Sequence, residues 1–162
     1  MDVRDAIRGL RSVRQFADRP LEEETLRAIL DAGRRSQSSK NTQPWQFVVV
    51  RERTTLQALS RCGDYAGHLA GAAAGVALLS PVPDGYDLGQ ATACMMLAAW
   101  EMGVGSCIAS IYDADKARAL LGVPPEQHFD VALSFGYPAA DWQPTKMGGR
   151  RPLEDVVRWE RW

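Results

Sequence analysis

The stretch Ser38-Ser39-Lys40-Asn41-Thr42-Gln43-Pro44-Trp45-Gln46-Phe47-Val48-Val49-Val50 opens on small polar side chains and closes on an unbroken apolar run. Phe47 to Val50 has the composition of a buried strand, because β-branched side chains pack well on a pleated surface. The polar residues before it then lie on a loop that runs straight into the core. Upstream, Arg11-Ser12-Val13-Arg14 places two guanidinium groups around a hydroxyl. If the helix that begins near Asp2 continues this far, both arginines leave the same face and can grip one anion. Guanidinium forks bind phosphate in a bidentate way, each hydrogen bond to a charged group contributing about 1.5–3 kcal/mol. Read alone, the pair equally fits a solvated helix end. Together the two stretches suggest a bound phosphorylated cofactor.

The chain around them alternates helices and strands without repeats, low-complexity blocks or an obvious linker. Asp2 can cap a first helix to about Leu10. Pro20 followed by Glu22, Glu23 and Glu24 opens a second, where acidic side chains favour the helix N-terminus; Leu26, Ile29 and Leu30 follow at helical spacing and Gly33 is a stop signal. Leu56 to Ser60 reads as a short helix and Gly75 to Leu79 as a strand. From Gly89 to Met102 nearly every residue is apolar or small, which predicts a central helix buried on most of its surface. Met95 and Met96 are read there as core filling. Val131, Leu133 and Phe135 alternate with Ala132 and Ser134, the period of a strand, ended by Gly136-Tyr137-Pro138. Leu153 to Trp162 carries Val156, Val157, Trp159 and Trp162, a tail too apolar to remain loose, so it docks either on its own subunit or on another.

Composition narrows the function. At 162 residues, 46% hydrophobic and 24% charged, the chain can bury one core but not two, so a single domain over residues 1–162 is expected. A net charge of −1 and a pI near 6.1 supply no global field for nucleic acid or an anionic membrane, so any anion site must be local. Met1-Asp2-Val3-Arg4 lacks the apolar core of a signal peptide, and Ala72 to Leu79 is too short to cross a bilayer, so a cytoplasmic location is expected. Cys62, Cys94 and Cys107 show neither metal-ligand nor disulfide spacing and read as buried or half-buried thiols. No triad, carboxylate pair or metal-ligand spacing is evident, and Asp64, Asp84 and Asp87 read as turn residues.

The order of motifs resembles the FMN-dependent nitroreductase superfamily. Arg11-Ser12-Val13-Arg14-Gln15-Phe16 matches Arg-Ser-x-Arg-x-Phe, and Gln37 to Phe47 matches Pro-Ser-x-x-Asn-x-Gln-Pro-Trp-x-Phe with Gln37 in place of the proline. Gly103-Val104-Gly105-Ser106, Gly136-Tyr137-Pro138 and Arg150-Arg151-Pro152-Leu153 follow in the family's order. The resemblance implies an α+β sandwich, a mostly antiparallel sheet flanked by helices with a buried central helix, in an intertwined homodimer whose C-terminal segments wrap the partner subunit. It implies FMN at the dimer interface. Arg11, Ser12 and Arg14 would hold its phosphate and ribityl chain, joined by Arg150 or its neighbour Arg151. Ser38, Ser39 and Asn41 would reach it from the other subunit, with Gln43, Pro44 and Trp45 shaping the turn, or Gln43 instead touching the ribityl chain. His68 falls where relatives place an amide near the pyrimidine edge of the flavin, although a surface histidine fits as well. Ser110 and Ile111 align with the segment whose backbone N–H approaches flavin N5. Between His68 and Gly89 the chain is short, implying a more open pocket than in larger relatives.

The implied chemistry needs no acid–base dyad, because FMN carries it: a nicotinamide donor, NADH or NADPH, delivers hydride, and a small electron-poor acceptor of nitroaromatic or quinone type then takes its place. A flavin store or sensor without turnover is the alternative reading.

Overall fold

The computed structural model describes residues 2–83, 85–144 and 149–162. Asp2 caps helix α1 (Val3–Gly9), its carboxylate accepting the Arg4 N–H at 2.7 Å. The helix does not continue into Arg11. Leu10 already has ψ near 126°, and the chain onward is extended, with Ser12 bridged in parallel to Ser106 and Phe16 bridged antiparallel to Pro138. The i, i+3 argument for a shared helical face therefore fails, since Arg11 and Arg14 ride on a strand-like segment.

Helix α2 (Glu23–Arg34) has Glu23 and Glu24 in its first turn and buries Leu26 and Ile29. Gly33, expected as the stop, lies inside the helix. A side chain there would place its Cβ 2.7 Å from Met95 Cγ, so this glycine lets α2 approach the central helix α4 (Gly85–Glu101). After α2 come a 3₁₀ turn (Ser39–Asn41), strand β1 (Gln46–Val50), helix α3 (Arg53–Leu59), a second 3₁₀ turn (Gly67–Gly71) and strand β2 (Ala74–Ser80). Strand β3 (Gly105–Ser110), helix α5 (Ala114–Leu121), strand β4 (His128–Gly136) and helix α6 (Leu153–Val156) complete the order.

The sheet runs β1-β2-β4-β3 and every pairing is antiparallel. β2 is buried at all seven positions because both faces are covered. Its Val76 and Leu78 join Leu26, Ile29, Met95 and Phe135 on the α2/α4 side, while Ala77 and Leu79 join Leu59, Leu69 and Phe129 under α3 and α5. That alternation is the two-residue period of a pleated strand. β1, expected to be buried, is an edge strand in which only Val50 is buried.

Helix α4 buries Ala91, Met95 and Ala99 completely, but it is not buried on most of its surface as expected: one face packs on α2 and the sheet, while Tyr86, Gly89, Ala93 and Glu101 are exposed. Tyr137, just beyond β4, ties the sheet to the start of α2. Its hydroxyl donates to Glu22 Oε2 at 2.7 Å and the Arg19 guanidinium stacks 3.8 Å from its ring centre. These partners hold the Glu22 carboxyl down to about 2, the Tyr137 hydrogen bond being the largest cause.

Candidate functional site

The expected site residues fall into two groups, one on each edge of the sheet. Arg11 to Arg14 lie beside β3, where the Val13 N–H donates to the Ser106 carbonyl at 2.9 Å and the Val13 side chain is fully buried. Gly105 permits this, since a Cβ there would stand 2.6 Å from the Val13 side chain. With Val13 as the buried anchor, Arg11, Ser12 and Arg14 remain exposed. Arg11 Nη1 donates to the carbonyls of Arg8 and Leu10 at 2.6 and 2.9 Å, closing the end of α1.

Behind this segment lies a polar corner. His68, expected near the pocket or else on the surface, is 8% exposed, and its Nδ1 is 2.7 Å from the Ser134 hydroxyl. Ser134 Oγ in turn donates to the Cys107 carbonyl at 3.3 Å. His68 Nε2 and Ser106 Oγ are buried without a partner of good hydrogen-bond geometry among the described residues. Burial pushes the imidazole below its ordinary value and the nearby Arg14 charge pushes it further, opposed by a hydrogen bond with the Ile108 backbone. Burial pushes the Cys107 thiol up, opposed by Arg14 and by a hydrogen bond with Ser12. Ser12, Arg14, His68 and Cys107 thus form one neighbourhood.

The pleat sorts the N–H groups of β3. The Ile111 N–H donates to the Asp130 carbonyl at 2.8 Å and is committed to the sheet. Ser110, one position earlier, presents its N–H on the opposite side, the free edge along which Val13 reaches Ser106.

Ser38, Ser39 and Asn41 precede β1, at the other edge. Three interstrand spacings separate β1 from β3, about 14 Å, so the two motifs enter from opposite edges of the sheet. The turn is strained: Lys40, Asn41 and Gln43 have φ of 51°, 57° and 50°. Asparagine visits this left-handed region readily, whereas for other L residues it costs about 1–2 kcal/mol each. The turn is held by hydrogen bonds from the Gln43 N–H to Ser38 Oγ at 3.0 Å and from the Ser39 N–H to Asp87 Oδ2 at 2.9 Å. Trp45, 8% exposed, anchors its exit in the core.

Between α4 and the sheet lies a largely apolar cavity of about 430 Å³, lined by Leu10, Leu78, Leu88, Met96, Ile108 and Val131 among others. The C-terminal tail does not fill it. Trp159 and Trp162 are 81% and 101% exposed, which removes docking on the same subunit as the fate of this segment. Arg150 and Arg151 are exposed, and Arg151 Nη2 donates to the Asp155 carbonyl at 2.9 Å.

Sequence reasoning missed Ser134 and Asp87. Ser134 is a buried polar residue within the apolar run Val131 to Phe135, which was a usable signal. Asp87, read as a turn residue, is 3% exposed in the first turn of α4, whereas Asp64 does lie in a turn. Asp84 lies outside the described residues. Cys62 and Cys107 are buried and Cys94 is half-buried, as expected. Among the described residues no group of three or more His, Cys, Asp or Glu side chains could hold a metal, and no helix is long and apolar enough to cross a membrane.

The geometry finds close counterparts. The nitroreductase family profile matches residues 7–74 and 86–137. A protein of Archaeoglobus fulgidus with the provisional name NADH dehydrogenase/NAD(P)H nitroreductase is 33% identical over 142 residues, 79% of this chain and 80% of that protein. A provisionally named nitroreductase of Desulfovibrio desulfuricans, solved in complex with FMN, superposes with a TM-score of 0.84 at 28% identity, covering 100% of this chain and 98% of that one. The fold is also that of an FMN-dependent nitroreductase of Clostridium difficile, with a TM-score of 0.88 at 24% identity over 99% of this chain and 100% of that one. Matched over most of its length, the chain belongs to the nitroreductase family.

Proposed function

We propose that the chain is an FMN-dependent oxidoreductase that draws hydride from NADH or NADPH and reduces small, flat, electron-poor acceptors such as nitroaromatics or quinones. It works as a homodimer of single-domain chains, with each cofactor site assembled from both copies. The observation that carries this reading is the β3 edge, where the exposed Arg11, Ser12 and Arg14 run along the strand beside the polar corner of His68, Ser134 and Cys107.

The residues present fit FMN. Ser12 and Arg14 are exposed beside the His68 and Cys107 corner at the β3 edge, and Arg11 is exposed at the end of α1 just before them; with Arg150 from near the C-terminus they make a donor set suited to a phosphate and a polyol chain. Arg151 Nη2 donates to the Asp155 carbonyl much as Arg11 Nη1 donates to backbone carbonyls, so Arg151 stays in reserve beside Arg150. Ser38, Ser39 and Asn41 come from the second copy. His68 supplies a polar edge, and Ser110 supplies a backbone N–H on the free side of β3, while the Ile111 side chain belongs to the wall behind it. FMN, when bound, supplies the hydride-accepting and electron-donating chemistry. The protein positions the cofactor, excludes water with the α4 wall, and leaves one face open for donor and acceptor in turn.

Two unsatisfied features support the dimer. The motifs stand on opposite edges of one sheet, and the tail exposes two tryptophans while an apolar cavity beside α4 stays open. A second copy resolves both. Purified protein should bind FMN tightly and lose its visible flavin absorbance within seconds of anaerobic NADH or NADPH addition. Colourless protein that takes up no added FMN contradicts the proposal, and flavin that binds but resists both nicotinamides replaces it with a store or sensor.

A further inference from the structure

The geometry points to Asp87 as a positioning residue that holds the Ser38–Asn41 half-site in its binding conformation, an inference that rests on the cofactor reading above. Asp87 sits in the first turn of α4, 3% exposed, and its Oδ2 accepts the Ser39 N–H at 2.9 Å across 48 positions of sequence. Its other oxygen lies 3.4 Å from Gln90 Nε2.

A carboxylate so buried is costly unless it is well solvated by donors, and the positive end of α4 is a favourable place for it. The turn it holds needs an anchor. Lys40, Asn41 and Gln43 are all left-handed, so the loop relaxes toward ordinary dihedrals unless external bonds oppose that. Within the loop, Ser38 Oγ accepts the Gln43 N–H, and the Ser38 and Ser39 carbonyls accept the Asn41 and Thr42 N–H groups; from outside it, Asp87 ties Ser39 to the central helix. Ser38 and Ser39 are adjacent to that tie, so its loss moves the groups offered to the cofactor rather than a distant part of the fold. Asp87 touches neither cofactor nor substrate in this scheme; it acts through the turn.

The test compares Asp87→Ala with Asp87→Asn, and Ser39→Pro with Ser39→Ala, by FMN affinity from fluorescence quenching and by the rate of tryptic cleavage after the exposed Lys40. Asparagine keeps an acceptor for the Ser39 N–H, and alanine does not. Ser39→Pro deletes that N–H, and Ser38 before it is already extended at φ −144°, ψ 153°, as the residue preceding a proline requires. Ser39→Ala keeps the N–H and controls for the hydroxyl. Asp87→Ala and Ser39→Pro should each weaken FMN binding at least about tenfold relative to their paired controls, as expected for a hydrogen bond to a charged group. Cleavage after Lys40 should accelerate in the same two variants. Equal FMN affinity and equal cleavage within each pair overturns the inference, even if melting temperatures fall. The Ser39 pair decides the matter if Asp87→Ala does not fold. Should the wild type bind no FMN, the functional reading fails, and the Lys40 cleavage rates still decide whether Asp87 holds the turn.

Discussion

The two edges of the sheet hold their polar groups by different means. At the β3 edge, Arg11 to Arg14 are laid along a strand: Val13 bonds to the Ser106 backbone, its side chain is fully buried, and Gly105 makes room for it. At the β1 edge, Ser38 to Gln43 form a turn with three left-handed residues, none of them glycine, kept in place by side-chain bonds from Ser38 and Asp87. The first is a rail fixed by backbone pairing and packing. The second is a sprung turn fixed by polar anchors. Substitutions should therefore act through core packing at one edge and through loop conformation at the other.

The largest effect should come from separating the copies that join the edges. Replacing both Trp159 and Trp162 with alanine should raise the dimer dissociation constant about a thousandfold, roughly 4 kcal/mol if each acts as an interface hot spot. Sedimentation at graded concentrations measures it, and an unchanged dimer would mean that the tail does not bridge the two copies.

Next is the rail itself. Gly105→Val drives a branched side chain into Val13 and should cost about 3 kcal/mol in urea unfolding, at the upper end for overpacking. A loss below about 0.5 kcal/mol, the usual range for a neutral surface change, would show that the segment yields instead of being wedged.

His68 gives the same edge a pH dependence. Its folded-state value is depressed by burial and by Arg14, while the unfolded imidazole keeps its ordinary value of 6.5. Below that pH the unfolded chain takes up a proton that the folded chain resists, so the stabilisation is complete above it and is lost as pH falls through the depressed value. Unfolding of FMN-free protein between pH 7 and about 5 should show this slope, and His68→Asn, which does not titrate, should flatten it. Parallel profiles for the two proteins would remove His68 as the cause.

The smallest effect is at the sprung turn. Gln43→Gly relieves a left-handed φ of 50° and should stabilise the protein by up to about 1 kcal/mol, after the greater chain entropy of glycine is set against it. Destabilisation would mean that the glutamine side chain contributes more than its backbone costs.

Where periodicity carries the fold, it was legible before the structure. β2, β4, α2 and α4 follow from runs whose apolar spacing matches their burial. β3 was not read as a strand, because Gly105-Ser106-Cys107-Ile108-Ala109-Ser110 has little strand propensity of its own and is held by its partners on both sides. α5 did carry signals: Asp113 accepts the Lys116 N–H as a cap, and Gly122 ends the helix in a left-handed conformation. Of the site, Arg11, Ser12, Arg14, Ser38, Ser39 and Asn41 were legible as motif residues. Their distribution over two edges was not, since sheet order is a long-range property. His68 was ambiguous because one histidine in a short 3₁₀ turn carries no periodic signature, and Asp87 was misread because an acidic residue beside Gly85 looks equally like a turn or a first helical turn.

Complementation between two broken copies tests the shared site most directly. Arg14→Ala disables the β3-edge half, and a Ser38→Ala, Asn41→Ala double variant disables the β1-edge half. When the two chains are co-expressed, each heterodimer regains one intact site and loses the other entirely, so tight FMN binding and nicotinamide-driven bleaching should return in the mixture although both parents lack them. A mixture no better than its parents would contradict a site built from both copies.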